Sequence, residues 1–316
     1  MYRIGIDIGA SNLRAAVFKA DSSCNKNLSI VKRIEFPNNR NKNANENIDL
    51  LIDFINTFLQ SPTNGETANN GIAGSEIAGI GIGCPGPLDF AAGKVLNPPN
   101  LYGWNDFELV SYMEQKTGIK TILNNDANCA GLAETILGAG KGFKSVFYMT
   151  VSTGIGGAYV YQGKLVNGAH SSAGEVYNLI VCEDRYSRKG ANAGSLNEVC
   201  GGDALARQAE QAFGRPVDSK ELFSEFYQKQ KHPKAVSIID TWFTNLAKGI
   251  ANISCIVDPE IFIVGGAIAL NTNRFTEILT EKTKPYLIHP ELFRLEKALL
   301  GHDAGLIGAA LLTEAL

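Results

Sequence analysis

The stretch IGIDIGASNLRAAVF, residues 4–18, decides the fold. It holds two apolar runs on either side of a short turn with Gly9 and Ser11, which predicts a β-hairpin. Asp7 stands near the end of the first strand. This arrangement suits phosphate groups, because glycine lets backbone N–H groups approach the oxygens and the carboxylate can hold the accompanying Mg²⁺. On its own, the pattern is more often an ordinary turn.

The same strand–turn–strand pattern occurs again at residues 146–160, where Thr153 and Gly154 lie in a glycine-rich turn between two apolar strands. Two such units predict a duplicated α/β chain with a boundary near residues 120–130. Each half opens with a hairpin whose turn faces a cleft, and turns from both halves would clamp one triphosphate. The pair of turns is much more specific than either turn alone.

A third candidate nucleotide contact is the predicted strand 261–264, which ends at Gly265 and Gly266. Two glycines at a strand end let a flat ring lie against the backbone, which suits an adenosine. An ordinary strand-to-helix turn explains the pair about equally well.

Asp126 follows Asn125 at the start of a predicted helix, residues 126–138. An aspartate there usually caps the helix, and the position alone favours that interpretation. The chemical alternative is that the carboxylate accepts the proton of an attacking hydroxyl, as phosphoryl transfer requires, while Asn125 hydrogen-bonds a sugar. Glu175 and Glu198 add carboxylates that suit a polyol, although an isolated glutamate is usually a solvated surface charge.

The hydrophobic pattern predicts strands alternating with helices, joined by polar connections. The predicted strands are 2–9, 13–20, 30–36, 77–83, 119–123, 145–151, 157–161, 261–264 and 295–300. The predicted helices are 48–59, 106–117, 126–138, 203–213, 219–229, 234–257 and 304–315. An exposed, mobile connection is predicted over residues 61–76.

The composition is that of a folded globular protein, with 45 % hydrophobic and 19 % charged residues. A net charge of −3 provides no bulk positive field for nucleic acid or anionic lipid. Six widely spaced cysteines without a C-x-x-C pair predict reduced, buried thiols. The N-terminus runs straight into a strand without a signal peptide, and no apolar run could span a bilayer. We therefore expect a cytoplasmic protein.

In combination, the motifs resemble the repressor–ORF–kinase (ROK) family of bacterial sugar kinases, of the glucokinase and N-acetylhexosamine kinase type. The match runs in order along essentially the whole chain. It comprises residues 7–12 (DIGASN), 83–89 (GCPGPLD), 97–104 (NPPNLYGW), 125–128 (NDAN), 153–157 (TGIGG), 168–169 (GA), 173–175 (AGE), 265–266 (GG) and 303–310 (DAGLIGAA).

The resemblance implies an α/β fold of the actin-like ATPase (ribonuclease H-like) class, with two lobes and a central cleft. The implied lobes are residues 1–122 and 123–302, and a closing helix at 303–316 packs back on the first lobe. ATP and Mg²⁺ would bind at the glycine turns, with Asp7 holding the metal ion. Lobe closure would exclude water, so that the sugar and not water is phosphorylated.

The resemblance also implies roles for single residues. Asp126 would take the proton of a hexose hydroxyl, with the 6-hydroxyl as first expectation, while the oxygen attacks the γ-phosphate of ATP. The implied sugar contacts are Asn100, Asn125, Asp126, Glu175, Asn178 and Glu198. The implied ATP contacts are Asp7, Gly9, Ser11, Asn12, Thr153, Gly154, Gly265 and Gly266.

The chain departs from the family pattern at a zinc site. The family usually has a histidine three residues after the glutamate of Ala-Gly-Glu and three cysteines before a second glutamate. Here those positions hold Asn178, Lys189, Ala191 and Leu196. Since none of these side chains replaces imidazole or thiolate at a tetrahedral zinc, we expect no structural zinc and a mobile segment 183–197 held by other contacts.

Two further departures concern the ligands. Asn178 can hydrogen-bond a sugar but carries no proton at neutral pH, so sugar preference stays open. Asn12 stands where the family often places Lys or Arg beside the phosphates, and Arg14 is the nearest cation that could compensate.

Alternatives to a glucokinase also stay open. N-acetylmannosamine, N-acetylglucosamine, fructose and β-glucosides compete with glucose as substrate. A non-catalytic sugar sensor is favoured by the lost zinc site and opposed by the retained Asp7, Asp126 and glycine turns.

DNA binding is opposed by the slightly acidic charge and by a start at the first phosphate strand, since the family's repressors carry a preceding helix-turn-helix. Acetate- and glycerol-type kinases fit the NDAN and AGE segments less well. Family members are often dimers, which leaves a homodimer open.

Overall fold

The computed structural model describes residues 1–20, 28–60, 76–187 and 190–316. These residues divide into two compact units. The first comprises Met1–Leu137, Gly168–Ser171 and His302–Leu316, and the second comprises Gly138–Asn167 and Ser172–Gly301. Each unit is built on a five-stranded sheet.

The first unit opens with the predicted hairpin. Its strands are β1 (Tyr2–Ile8), β2 (Asn12–Ala20), β3 (Leu28–Pro37), β4 (Ile77–Cys84), β5 (Leu88–Asp89), β6 (Lys94–Val95) and β7 (Thr121–Asn125). Its helices are α1 (Ala44–Gln60), α2 (Leu109–Thr117), α3 (Asp126–Ile136) and α10 (Ala304–Leu312), the last helix of the chain. The sheet order is β3-β2-β1-β4-β7, and β5 and β6 form a separate ribbon.

The second unit repeats this plan. Its strands are β8 (Ser145–Val151), β9 (Ile155–Tyr161), β10 (Lys164–Leu165), β11 (Ile261–Gly265) and β12 (Leu295–Lys297), in the order β10-β9-β8-β11-β12. Its helices are α4 (Leu196–Cys200), α5 (Gly202–Phe213), α6 (Ser219–Glu221), α7 (Pro233–Val257), α8 (Ala267–Asn271) and α9 (Phe275–Thr283). No helix among the described residues combines the length and apolar character needed to cross a bilayer.

The two sheets share one pairing scheme, which confirms the predicted duplication. In each, three strands form an antiparallel meander, and two further strands extend the sheet in parallel from its first strand. The inner strands β1, β4, β8 and β11 are buried almost throughout. Continuous burial explains why these strands read as apolar runs instead of alternating patterns.

The boundary between the units differs from the predicted one. A division between residues 122 and 123 would cut β7, whose ladder with β4 extends from Thr121 to Asn125. The units divide instead after Leu137, because α3 follows β7 directly and packs against α10. Helix α10 itself lies on β1, β4 and α3 of the first unit.

Other differences have local causes. Helix α2 begins at Leu109 and not at residue 106, because Phe107 pairs with Val95 in an antiparallel bridge. The predicted helix 219–229 is the short α6 followed by the π-helical stretch Leu222–Lys229. Strand β12 ends at Lys297 and is shorter than predicted. The predicted connection 61–76 lies outside the described residues, except for Glu76.

Helix α10 is apolar in sequence and approaches the sheet more closely than side chains would allow. A Cβ atom on Gly5 of β1 would lie 2.1 Å from the backbone oxygen of Leu306. One on Gly81 of β4 would lie 1.7 Å from the backbone oxygen of Ala309. Only glycine is compatible with such contacts, so these two residues set the distance between helix and sheet.

The prediction of buried cysteines is confirmed at three of the five cysteines that the structure describes. Cys84, Cys129 and Cys200 are buried, Cys182 is half-buried, and all are free thiols. Cys255, near the end of α7, is a free thiol too but is exposed, so the expectation of burial is wrong there. Cys24 lies outside the described residues.

We expect Gly81→Ala to lower the free energy of unfolding by about 3 kcal/mol, because the added methyl collides with the backbone of α10. Gly214→Ala is a matched control at the end of α5, where φ is 70° and no atom lies within 4 Å of the new Cβ. Its left-handed backbone alone should cost about 1 kcal/mol. Urea unfolding of both variants measures the difference, and equal losses would contradict the close packing of α10.

Candidate active site

Asp7 occupies a fixed and buried position on β1, with 8 % of its surface exposed. Its carboxylate forms a close ion pair with Arg14, which lies directly opposite on β2. The Nη1 atom of Arg14 also donates a hydrogen bond of 2.8 Å to the backbone oxygen of His302, just before α10. Gly305 of α10 lies so close that a Cβ there would be 3.1 Å from Cγ of Asp7. The charge of Arg14 is thus directed at Asp7.

Asp126 is the first residue of α3, but it does not cap that helix. The N-cap is Asn125, whose Oδ1 accepts hydrogen bonds from the backbone N–H groups of Ala127 (2.8 Å) and Asn128 (3.4 Å). The cap interpretation of Asp126 is therefore wrong. Its half-buried carboxylate accepts one bond from the N–H of Ala127, at 2.8 Å. Asn125 takes over the capping function and leaves Asp126 available for chemistry.

Burial and nearby charges shift the pKa values of both carboxylates. Burial, assisted by the negative charge of Asp7 and opposed by the hydrogen bond from Ala127, raises the pKa of Asp126 to about 6. Burial also raises the pKa of Asp7, although the Arg14 guanidinium opposes that shift. A carboxylate with a pKa near 6 is a stronger base than an ordinary aspartate and is still ionised at pH 7.5.

The first glycine turn is braced by a residue that the sequence pattern does not single out. The N–H of Gly9 donates to the backbone oxygen of Asn12 at 2.8 Å, which closes the turn. Asn38 then binds the turn twice: its Nδ2 donates to the oxygen of Gly9 and its N–H to the oxygen of Ser11, both at 2.8 Å. The side chains of Ser11 and Asn12 are exposed.

The second glycine turn is braced in a different way. The backbone oxygen of Thr153 accepts from the N–H of Asp203 at 3.1 Å. The side-chain oxygen of Asn197 accepts from the N–H of Ile155 at 3.0 Å. A Cβ on Gly154 would lie 2.7 Å from that same oxygen, so glycine is required here by Asn197. Both braces come from α4 and α5, which are far from the turn in sequence.

Internal packing accounts for the glycines at the end of β11. A Cβ on Gly265 would lie 2.4 Å from the hydroxyl of Tyr148. Gly266 has a φ of 87°, and a Cβ there would lie 2.5 Å from the oxygen of Val151. The strand-to-helix interpretation is thus sufficient for both glycines, and an adenosine contact stays a prediction.

The predicted sugar contacts fall into separate groups. Asn100 is exposed in the first unit. In the second unit, Glu175 and Asn178 line an open surface pocket of about 300 Å³ together with Ile253 and Ile256 of α7. Glu198 is not part of that lining, and with 1 % of its surface exposed it is not a solvated surface charge. Its Oε1 accepts from Nδ2 of Asn197 at 3.1 Å.

The four positions of the family's zinc site do not fit a zinc ion. The Oδ1 atom of Asn178 accepts a hydrogen bond of 2.6 Å from the N–H of Asn192, and Leu196 is fully buried in the apolar core of the second unit. Ala191 has no ligating atom in its side chain, and Lys189 lies outside the described residues. Zinc prefers thiolate and imidazole, and none of these side chains supplies either.

Other contacts hold the segment that the zinc would order. Ile180 pairs with Ser195 in an antiparallel bridge, and the N–H of Leu196 donates to the oxygen of Leu179 at 2.8 Å. The Arg207 guanidinium lies 3.6 Å from the centre of the Tyr186 ring, within range of a cation–π interaction. Hydrogen bonds and side-chain packing thus hold the described part of this segment.

Two like sheets, each opening with a glycine-turn hairpin, define an α/β protein of the actin-like ATPase class. The chain belongs to the ROK family, whose sequence model matches residues 3–315. This confirms the resemblance inferred from the motifs.

Individual relatives agree over nearly the whole length. The chain is 28 % identical to an N-acetylmannosamine kinase of Salmonella typhi, over 99 % of both chains. It superposes on a ROK hexokinase from Thermus thermophilus with a TM-score of 0.83 and 34 % identity, over 98 % of this chain and 97 % of that one. A ROK family glucokinase from Streptomyces griseus, solved with glucose and AMPPNP, gives a TM-score of 0.75 and 25 % identity over the full length of both.

The raised pKa of Asp126 predicts that this carboxylate destabilises the fold when it is ionised. Folding favours its protonated form, so the destabilisation is absent below pH 3.8, grows up to about pH 6 and is complete above that. Asp126→Asn should therefore raise the thermal midpoint by a few degrees at pH 8 and much less at pH 4.5.

The Asp126→Asn variant keeps a side-chain oxygen that can accept a hydrogen bond from the N–H of Ala127. Asp53→Asn, at an exposed site on α1, is the control and should follow the parent at both pH values. Scanning calorimetry measures all three proteins. Equal thermal midpoints of the parent and Asp126→Asn at pH 8 would show that the ionised carboxylate of Asp126 does not destabilise the fold.

Proposed function

We propose that this protein transfers the γ-phosphate of ATP to a hexose, at the 6-hydroxyl, with Asp126 as general base. The observation that carries the proposal is the state of Asp126: a carboxylate at the start of α3, relieved of capping by Asn125 and with its pKa raised to about 6. Family membership supports the reaction class.

Asp126 would accept the hydroxyl proton as the sugar oxygen attacks phosphorus. A general base works best when its pKa lies near the operating pH, since it must be ionised and still bind a proton well. The pKa of about 6 meets both conditions at neutral pH. Because phosphoryl transfer needs little covalent chemistry from the protein, the remaining task is to position the reacting groups.

Asp7 is the side chain that would hold a magnesium ion brought in with ATP. It supplies a hard carboxylate oxygen at a strand end, which fits the oxygen ligands that Mg²⁺ requires. The ion would neutralise charge on the phosphates. The proposed phosphate contacts are the turn residues Gly9, Ser11, Asn12, Thr153 and Gly154, with Gly265 and Gly266 for the adenosine. The first turn is held in shape by Asn38 and the second by Asn197.

In addition to the base Asp126, the proposed sugar contacts are Asn100, Asn125, Glu175, Asn178 and Glu198. Asn125 and Asn178 already use their side-chain oxygens within the chain, so their Nδ2 groups are the donors left for hydroxyl oxygens. Glucose is the first expectation, supported by the similarity to the Streptomyces griseus glucokinase. N-acetylmannosamine is the second, supported by the Salmonella typhi relative.

A screen of ATP consumption with glucose, mannose, fructose, N-acetylglucosamine, N-acetylmannosamine and a β-glucoside tests the proposal. We expect turnover with at least one sugar and a sugar 6-phosphate as product. Asp126→Asn should bind that sugar with little change and lose turnover by about 10²–10⁴-fold.

Turnover of Asp126→Asn within a few-fold of the parent would refute the role of the base. Sugar binding without turnover of any sugar by the parent would favour the non-catalytic sensor.

We also propose that the fold needs no zinc. Metal analysis of the purified protein should find no stoichiometric zinc, and incubation with a strong chelator should leave the thermal midpoint unchanged. The reason is that hydrogen bonds around Asn178 and Asn192 and the burial of Leu196 occupy the positions of the family's ligands. One zinc ion per chain, or a midpoint that falls on chelation, would refute this.

A further inference from the structure

The side-chain amide of Asn197 makes two hydrogen bonds to groups with different proposed roles. Its Oδ1 accepts from the N–H of Ile155, at 3.0 Å, in the second glycine turn. Its Nδ2 donates to Oε1 of Glu198, at 3.1 Å. We propose that Asn197 is a positioning residue that holds the phosphate turn and the sugar-binding carboxylate in one fixed arrangement. This inference rests on the proposed function of those two parts.

The amide has little freedom to adopt another position. The backbone oxygen of Asn197 accepts from the N–H of Gly201 at 3.1 Å, which fixes the start of its side chain. The Oδ1 atom lies against Gly154, where a Cβ would come within 2.7 Å. An asparagine supplies an acceptor and a donor on one short side chain, and aspartate would supply acceptors only.

Other hydrogen bonds also hold the second glycine turn and α4. They show which of the two contacts of Asn197 has a substitute. The N–H groups of Gly202 and Asp203 donate to the oxygens of Ser152 and Thr153, at 2.8 and 3.1 Å, so α5 also fixes the backbone of the turn. On the other side, Arg207 donates to the backbone oxygen of Glu198 at 2.8 Å.

That bond holds the backbone of α4 and not the carboxylate. The Nδ2 bond of Asn197 acts on the carboxylate itself. Since Glu198 is almost fully buried, its carboxylate depends strongly on each hydrogen bond it accepts. Loss of the Nδ2 donor should therefore affect the sugar much more than the nucleotide.

Two substitutions divide the role. Asn197→Asp keeps an acceptor for Ile155 and replaces the donor by a like charge beside Glu198, so it should raise the sugar KM about tenfold or more with the ATP KM within twofold. Asn197→Ala loses both bonds and should raise both KM values. Gln208→Ala is the control: it removes a bond of 3.1 Å to the oxygen of Val199 on α4 and should change neither.

A pH series gives a readout that a general loss of structure would not produce. The sugar KM of Asn197→Asp should recover toward that of the parent as the pH falls and the new carboxyl takes up a proton. Equal changes of both KM values in Asn197→Asp, or no change in either variant, would overturn the inference.

Hydrogen exchange tests the positioning without any substrate. Peptides that cover residues 151–157 should exchange faster in Asn197→Ala, where the N–H of Ile155 loses its acceptor, and at the parent rate in Asn197→Asp and Gln208→Ala. Unchanged exchange in Asn197→Ala would refute the link to the turn. If the unsubstituted protein phosphorylates no sugar, the proposed function is refuted. The exchange measurement needs no substrate, so it still tests whether Asn197 positions the turn.

Discussion

The carboxylate of Asp7 is buried and paired with the guanidinium of Arg14, and its negative charge acts on the nearby Asp126. Arg14 binds Asp7 and not Asp126. Burial, and to a smaller extent the negative charge of Asp7, raises the pKa of Asp126 to about 6. The surrounding packing maintains this situation: Gly5 and Gly81 let α10 approach the sheet, and Gly305 places that helix against Asp7. The base strength of Asp126 therefore depends on the packing around Asp7 and the start of α3.

Much of the fold could be predicted from the sequence, because burial on both sides of a sheet leaves long apolar runs. The hairpin at residues 4–18 and its counterpart at 146–160 are clear in the pattern, and the duplication follows from them. Element ends were predicted less well. Phe107 is removed from α2 by a bridge to Val95, a contact between segments that periodicity along the chain does not report.

The site could be predicted only at the level of residue types. The motifs bring out Asp7, Asp126 and the glycines, but they do not show which side chain satisfies which partner. That Asn125 caps α3, or that Asn38 and Asn197 brace the two turns, depends on how distant segments approach each other. Asn38 lies in an asparagine-rich loop with no periodic pattern, and Asn197 follows a leucine where the family has a cysteine. Neither position carries a local signal of its use.

The thiols beside the two carboxylates have a further consequence for oxidative damage. Burial, together with the negative charges of Asp126 and Asp7, raises the pKa of both Cys84 and Cys129 well above that of an ordinary thiol. Peroxide and alkylating reagents attack thiolates, and these two sulfurs stay protonated at neutral pH. The burial that makes Asp126 basic thus also keeps its sulfur neighbours protonated and unreactive, whereas Cys255 is exposed to reagents in solution.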